Sequence, residues 1–134
     1  MSFADDMNAA KAMVNRRRRA VFHESVFSAH RSIATGSPLT GSQGQPVLYG
    51  ALRQSYQIEI LSAVLARVAS ALKYARSIED GVSYAHGGIP LTIRSAVGGT
   101  HSIQRTVLNF DRIVADATAR VNRSPAFGGG EVAP

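Results

Sequence analysis

The sequence predicts a single domain that combines α-helices with β-strands, and three patterns carry this prediction. Residues 3–34 contain neither proline nor glycine and place apolar side chains at helical spacing. Residues 55–62 alternate apolar and polar side chains over most of their length, which is the period of a half-buried strand. From Ile103 to Val121, apolar residues recur every three or four positions. Because 134 residues allow one core, we assign residues 1–123 to one domain.

The first predicted element is a long amphipathic helix over residues 3–34. On a wheel of about 100° per residue, four apolar side chains fall within about 40° of Val14; they are Phe3, Met7, Ala10 and Val21. After Val21 the apolar residues drift by about 70°, so we expect the helix to change packing partners midway. A loop rich in turn formers then covers residues 35–50.

The middle of the chain, residues 54–101, predicts a small sheet region. Its first strand covers residues 55–62, but residues 63–76 leave two alternatives open. Their alanine content favours a helix, whereas their branched apolar residues permit a second strand followed by a short helix. Residues 90–97 predict another short strand, because glycine-rich turns lie on both sides of it.

The most regular predicted element is a C-terminal helix over residues 102–122. Ser102 is placed to cap its first turn, and its apolar stripe is continuous, with Ile103, Val107, Phe110, Val114, Ala117 and Val121. Residues 124–134 follow with three consecutive glycines and two prolines. Since these residues disfavour both helix and sheet, we predict a flexible tail.

The sequence does not predict a catalytic or metal site. No cysteine is present, which removes disulfides and thiolate chemistry. His23 and His30 lie about 10 Å apart along a helix, too far to share one metal. Serine, histidine and aspartate occur without a nucleophile elbow. We therefore predict no enzyme activity and no catalytic, cofactor-binding or metal-binding residues.

The formal charge of +6 favours contact with nucleic acid, an acidic surface or an acidic protein. The most concentrated charge is the run Arg16 to Arg19. On the predicted helix, Arg17 and Arg18 flank the apolar stripe, whereas Arg16 and Arg19 point away from it. One interpretation of this run is a small basic nucleic-acid-binding protein. We expect a soluble protein with no membrane partner, because no apolar stretch reaches the length of a bilayer span.

The stretch Glu79-Asp80-Gly81 raises the question of an acid–base pair. Adjacent residues diverge by about 100° on a helix, so the two carboxylates cannot face one substrate together. A glycine in the left-handed conformation commonly ends a helix. We therefore interpret this stretch as the end of a short helix that presents an acidic edge.

Two motifs resemble those of small neck and tail-completion proteins of long-tailed bacteriophages. PVLYGALRQSY at 46–56 is similar to the family pattern Pro-Val-Asp-Thr-Gly-x-Leu-Arg-x-Ser-aromatic, and YARSIEDG at 74–81 is similar to Tyr-Ala-x-x-x-Glu-x-Gly. The matching residues are Pro46, Val47, Gly50, Leu52, Arg53, Ser55 and Tyr56, followed by Tyr74, Ala75, Glu79 and Gly81. Leu48 and Tyr49 stand where the family pattern has Asp-Thr.

The resemblance implies an α+β fold, in which the N- and C-terminal helices pack on a small antiparallel sheet. It also decides the open segment: residues 55–62 and 65–71 become a hairpin, and residues 74–80 become a short helix. The implied protein is a structural component of the virion without catalytic activity. It is located at the head–tail junction or tail end, and in the host cytoplasm during assembly.

The resemblance further implies a homo-oligomeric ring, with six copies favoured and twelve as the alternative. Its partners would be other neck, connector or tail-tube proteins, and genome DNA would pass through its lumen without specific recognition. In such a ring, we expect Arg17 or Arg18 to pair with Glu79 or Asp80 of a neighbouring copy. Arg16 and Arg19 would remain solvated or face another ring or DNA.

Overall fold

The computed structural model describes residues 2–45, 51–72, 74–84, 90–94 and 99–124. The predicted α+β class is confirmed. In chain order the elements are α1 (Phe3–Ala34), α2 (Ala51–Ser55), β1 (Tyr56–Ile60), β2 (Ala66–Ser70), α3 (Ala75–Asp80), β3 (Val82–Tyr84), β4 (Pro90–Arg94), α4 (Ser102–Leu108) and α5 (Phe110–Arg123).

Some of the predictions concern residues outside this description. The first five positions of the PVLYGALRQSY motif, residues 46–50, are among them. So is the tail from residue 125 onward, for which we predict flexibility.

Helix α1 has the bounds that the sequence predicts and is 32 residues long. It begins with a capping box, in which the Ser2 side chain accepts from the Asp5 N–H and the Asp5 side chain accepts from the Ser2 N–H. At its end, the N–H groups of Thr35 and Gly36 both donate to the Arg31 carbonyl, at 2.8 and 2.9 Å.

The two halves of α1 differ in burial. Every residue from Ser2 to Arg19 is exposed except Met13, which is half-buried. Phe3, Met7 and Val14, three members of the predicted apolar stripe, are 79, 53 and 54% exposed. The buried residues of α1 all lie in its second half: Ser25, Val26, Ser32, Ile33 and Ala34. The predicted change of packing midway is therefore a change from an exposed stripe to a buried one.

The loop after α1 is fastened to that helix and to α4 by hydroxyl and amide groups. The Ser32 hydroxyl lies 2.6 Å from the hydroxyls of both Thr40 and Thr106. The Ser42 hydroxyl donates to the Ser32 carbonyl at 2.6 Å. Gln45 is 1% exposed, and its side-chain amide donates to the Ile33 carbonyl at 3.0 Å. Each buried polar group here has a partner, as a packed loop requires.

Strands β1 and β2 form the predicted hairpin, with Tyr56 opposite Ser70 and Ile60 opposite Ala66. Its inner end joins the core cluster of Ile33, Ala34, Leu52, Tyr56 and Ala75. A second antiparallel pair, β3 with β4, follows α3. The predicted strand over 90–97 therefore appears as Pro90–Arg94 within the described residues.

The predicted C-terminal helix over 102–122 is divided at Asn109 into α4 and α5. The Asn109 side-chain amide donates to the carbonyls of Thr40 and Arg105, at 3.2 and 3.0 Å. The break turns the apolar stripe of the first part outward: Val107 is 68% exposed and Phe110 is 42% exposed.

The predicted buried stripe is therefore wrong at its start and one residue out of phase afterwards. In α4 the buried side chains are the polar Ser102 and Thr106. In α5 they are Ile113, Ala117 and Val121, spaced four apart. A continuous helix would have kept one stripe in phase, but the break at Asn109 resets the rotation of the second part.

Helices α4 and α5 lie chiefly against α1, although the resemblance implies packing on the sheet. Arg120 strengthens this contact, since its guanidinium donates to Glu24 at 2.8 Å, to Ser28 at 3.0 Å and to Asp116 at 2.9 Å. Within the described residues, no helix combines the length and apolarity needed to cross a membrane.

Candidate functional site

The junction between α3 and α4 is built around the carboxylate of Glu79. One oxygen accepts the backbone N–H groups of Ile103 and Gln104, at 2.7 and 3.2 Å, and the other accepts the Thr100 hydroxyl at 3.2 Å. The first N–H groups of a helix have no partner within the helix, and a negative charge is favourable beside them. Glu79 therefore caps α4 from another part of the chain.

Ser102 does not cap α4, contrary to the prediction. The residue before α4 is His101, which has a left-handed backbone with φ 50°. Ser102 is fully buried, and its hydroxyl donates to the Gly44 carbonyl at 3.1 Å. The Glu79 carboxylate already occupies the position beside the helix N-terminus, so the serine hydroxyl connects α4 to the preceding loop instead.

The burial of Glu79 corrects the expectation that it offers an acidic edge to a neighbouring copy. Its residue is 8% exposed and its carboxylate oxygens are occupied within the chain. Asp80 remains at the surface, with a side chain 40% exposed and 3.8 Å from the Arg76 guanidinium. The acidic edge at the end of α3 is therefore formed by Asp80.

Two glycines allow this junction to close. Gly81 ends α3 in the predicted left-handed conformation, with φ 72°. Gly99 lies so close to α3 that a Cβ atom there would be 2.2 Å from the Glu79 carbonyl oxygen. The next two residues, Thr100 and His101, donate their N–H groups to the carbonyls of Ile78 and Glu79, both at 3.0 Å.

A groove of about 560 Å³ lies between the hairpin, α3 and α4, and we name it the Tyr56 groove. Burial raises the pKa of Tyr56, and the negative charge of Glu79 raises it further. A tyrosine with a raised pKa stays protonated at neutral pH, which is the opposite of what a nucleophile or a general base needs. The backbone of Tyr56 is held by His30, whose Nε2 donates to the Tyr56 carbonyl at 2.7 Å.

A second groove, of about 700 Å³, lies between α1, α5 and the turn of the hairpin. We name it the arginine groove, because Arg17, Arg18 and Arg19 lie along it and are all exposed. Its apolar side chains come from all three elements: Val21, Phe22, Ala63, Val64, Phe110 and Val114. Ser25 also lines it, and the buried Ser25 hydroxyl is without a hydrogen-bond partner in the part of the chain that the structure describes.

The four arginines of the predicted interface are thus placed near apolar surface. The sequence predicts that Arg17 and Arg18 flank the apolar stripe, and both line the arginine groove. Arg19 also lines it, although we expected this side chain to point away. Arg16 is exposed, with its guanidinium 3.9 Å from the Met13 sulfur.

Sequence reasoning missed the walls of the arginine groove. Val64 and Phe110 lie 46 positions apart in the sequence, so no local pattern connects them. The available signal was the drift of apolar residues after Val21, which indicates that a second surface begins there. Ser25 lies in that region, and nothing in the sequence marks its hydroxyl as unpartnered.

Among the residues that the structure describes, no three histidine, aspartate or glutamate side chains are grouped as a metal site would require. Comparison with known proteins adds no assignment: no family model, no curated protein and no solved structure matches the chain.

Proposed function

We propose that the protein is a structural subunit of the virion of a long-tailed bacteriophage, and that it forms a ring that joins or completes the tail at the head–tail interface. The observation that carries this proposal is the exposed apolar stripe on the first half of α1. Phe3, Met7 and Val14 are more than half exposed on a helix that extends beyond the packed body. Contiguous exposed apolar surface of this kind marks an interaction site.

The residues of the two motifs support the same proposal, because they build the body that carries this helix. Tyr56 is 4% exposed in the core. The Arg53 guanidinium donates to the Gln45 carbonyl at 2.8 Å. Glu79 caps α4, and Gly81 ends α3. The motif residues thus act as structural connections, which suits a subunit whose function is to present surfaces to its neighbours.

In this proposal the ring is homo-oligomeric, with six copies favoured over twelve. It contacts other neck, connector or tail-tube proteins, and the genome passes through its lumen. The proposal assigns the protein no catalytic step and no cofactor.

The test is to delete the gene from a phage or prophage that encodes this sequence and to image the particles by negative-stain electron microscopy. We expect heads and tails that remain unjoined, or tails with abnormal ends, together with a loss of infectivity. Expression of the wild-type protein from a plasmid should restore joined particles. Infectious particles with normal tails in the absence of the protein would contradict the proposal.

A second candidate function is binding of nucleic acid, which the exposure of all four arginines from Arg16 to Arg19 favours. Phosphate contacts of this kind weaken steeply as salt rises. We expect fluorescence anisotropy with a labelled DNA duplex to show binding at about 50 mM salt that falls at least tenfold by about 200 mM. A flat titration at the lower salt would exclude this function.

A further inference from the structure

The exposed stripe of α1 and the arginine groove lie on the same face of one helix. With Val14 at zero and about 100° per residue, Phe3 lies near −20° and Met7 near +20°. Val21 lies near −20° and Ser25 near +20° on the same wheel. The first pair belongs to the exposed stripe, and the second pair lines the groove. One helix therefore carries a projecting apolar ridge and an apolar groove in line with each other.

The spacing of these features makes the face self-complementary. If two copies of α1 lie antiparallel and cross at Val14, then Met7 of one copy is opposite Val21 of the other. Phe3 is then opposite Ser25 by the same rule. Because the arrangement is symmetric, the ridge of each copy enters the groove of the other in a single twofold contact. A parallel arrangement would instead align ridge with ridge and groove with groove.

We propose that a second copy of this chain occupies the arginine groove, so that Phe3 and Met7 of each copy pack between α1 and α5 of the other. The contact would cover the apolar walls of the groove, including Phe110 and Val64, which are 42 and 76% exposed. Paired helices approach to about 8–10 Å between axes, and the groove offers a seat of about 700 Å³ for the incoming turns.

Charge complementarity favours this occupant over others. The first turn of α1 carries Asp5 and Asp6, whereas the groove carries Arg17, Arg18 and Arg19. In the antiparallel register, Asp6 lies about one turn from Arg18 and Arg19 of the other copy, within reach of an arginine side chain. A nucleic-acid backbone would pair with the arginines but leave the apolar walls of the groove uncovered.

This inference concerns the free protein and does not depend on the virion function. The natural chain contains no cysteine, so engineered cysteines report on one contact at a time. The test variant is Met7→Cys combined with Val21→Cys. Under mild oxidation we expect a covalent dimer on a non-reducing gel, because both disulfides connect the same two copies.

The matched control is Ala9→Cys combined with Val21→Cys, since Ala9 is exposed and lies about 140° from Val14 on the wheel. It should give little dimer under the same conditions. A Met7→Cys, Val21→Cys product that remains monomeric, or that forms a ladder of trimers and larger species, would overturn the twofold antiparallel contact.

Light scattering after size exclusion provides a second, independent readout. We expect the wild-type protein to have twice the mass of the 14.2 kDa chain, and Met7→Lys to raise the dissociation constant of the dimer at least tenfold, by placing a cation among the groove arginines. Because Met7 is 53% exposed, the thermal unfolding of the Met7→Lys monomer followed by circular dichroism should show an intact fold. A monomeric wild type, or an unchanged dissociation constant in Met7→Lys, would reject the proposal.

Discussion

The two halves of α1 have the same secondary structure and a similar spacing of apolar residues, yet they have opposite environments. Val26 in the second half is 8% exposed, and Val14 in the first half is 54% exposed. The second half is covered by the following loop, by α4 and by α5, whereas the first half extends beyond them. The difference shows that helical periodicity identifies a face that seeks a partner, without identifying which chain supplies it.

The covering layers also differ in chemistry. Near the end of α1 the contact is made by hydroxyls, since Ser32 bonds to Thr40 and Thr106. Further back along α1, the facing residues of α5 are Ile113, Ala117 and Val121. Apolar packing therefore holds α5, and hydrogen bonding holds the loop and α4. The predictions below test whether this covered half of the helix carries the stability of the fold.

The largest expected effect is the loss of packing at Ile113, which is fully buried in α5. Ile113→Ala removes buried methyl and methylene groups and leaves a cavity, so the free energy of unfolding should fall by about 2–5 kcal/mol. Urea denaturation followed by circular dichroism measures this change. Phe110→Ala is the control, because Phe110 is 42% exposed and should cost about 1 kcal/mol. Equal losses would show that the buried face of α5 has been assigned wrongly.

The same pair of residues shows how far the sequence determines this helix. Its apolar spacing predicts a helix over residues 102–122, and helices are present there. The spacing also predicts that Phe110 is buried, which is wrong. The break depends on the hydrogen bond from Asn109 to Thr40, which lies 69 positions earlier. Local periodicity contains no information about such a contact.

The second effect concerns Glu79, which joins α3 to the start of α4. Glu79→Ala would leave the N–H groups of Ile103 and Gln104 without their acceptor, so the free energy of unfolding should fall by about 2–3 kcal/mol. Glu59→Ala is the matched control, because the ion pair of Glu59 with Arg67 joins side chains that are 52 and 63% exposed. Surface pairs of this kind contribute about 0–1 kcal/mol. A smaller loss for Glu79→Ala than for Glu59→Ala would show that the cap is not needed.

Glu79 also marks the limit of the sequence argument at the candidate site. The sequence predicts correctly that a short helix ends at Gly81, because that decision is local. It does not predict that the carboxylate of Glu79 turns inward to a helix that begins 23 residues later, at Ser102. The distinction between Glu79 and Asp80 depends on which side of α3 meets the core, and adjacent letters cannot supply it.

The third prediction compares the two halves of α1 directly, with one residue type at both positions. Val26→Ala removes two buried carbons and should lower the free energy of unfolding by about 2 kcal/mol. Val14→Ala, at 54% exposure, should change it by less than about 0.5 kcal/mol. The measurement should use dilute protein, at which the dimer proposed above dissociates. At high concentration, the cost of Val14→Ala should rise, because association stabilises the folded state. A cost for Val14→Ala near that for Val26→Ala in dilute solution would mean that the first half is covered within one chain.

The smallest effect appears only in alkali and concerns Tyr56, which the covered half of α1 holds through His30. Burial and the charge of Glu79 raise the pKa of the Tyr56 hydroxyl above its ordinary value of 10.0. The unfolded chain therefore loses this proton at lower pH than the folded chain. Tyr56 contributes its full stabilisation below pH 10.0, and this contribution is lost as the pH rises through the folded pKa. Ultraviolet titration of the native protein, with Tyr56→Phe subtracted to isolate one of the four tyrosines, should show ionisation above pH 10.0. A Tyr56 step at or below the ordinary value would mean that this core is open to water.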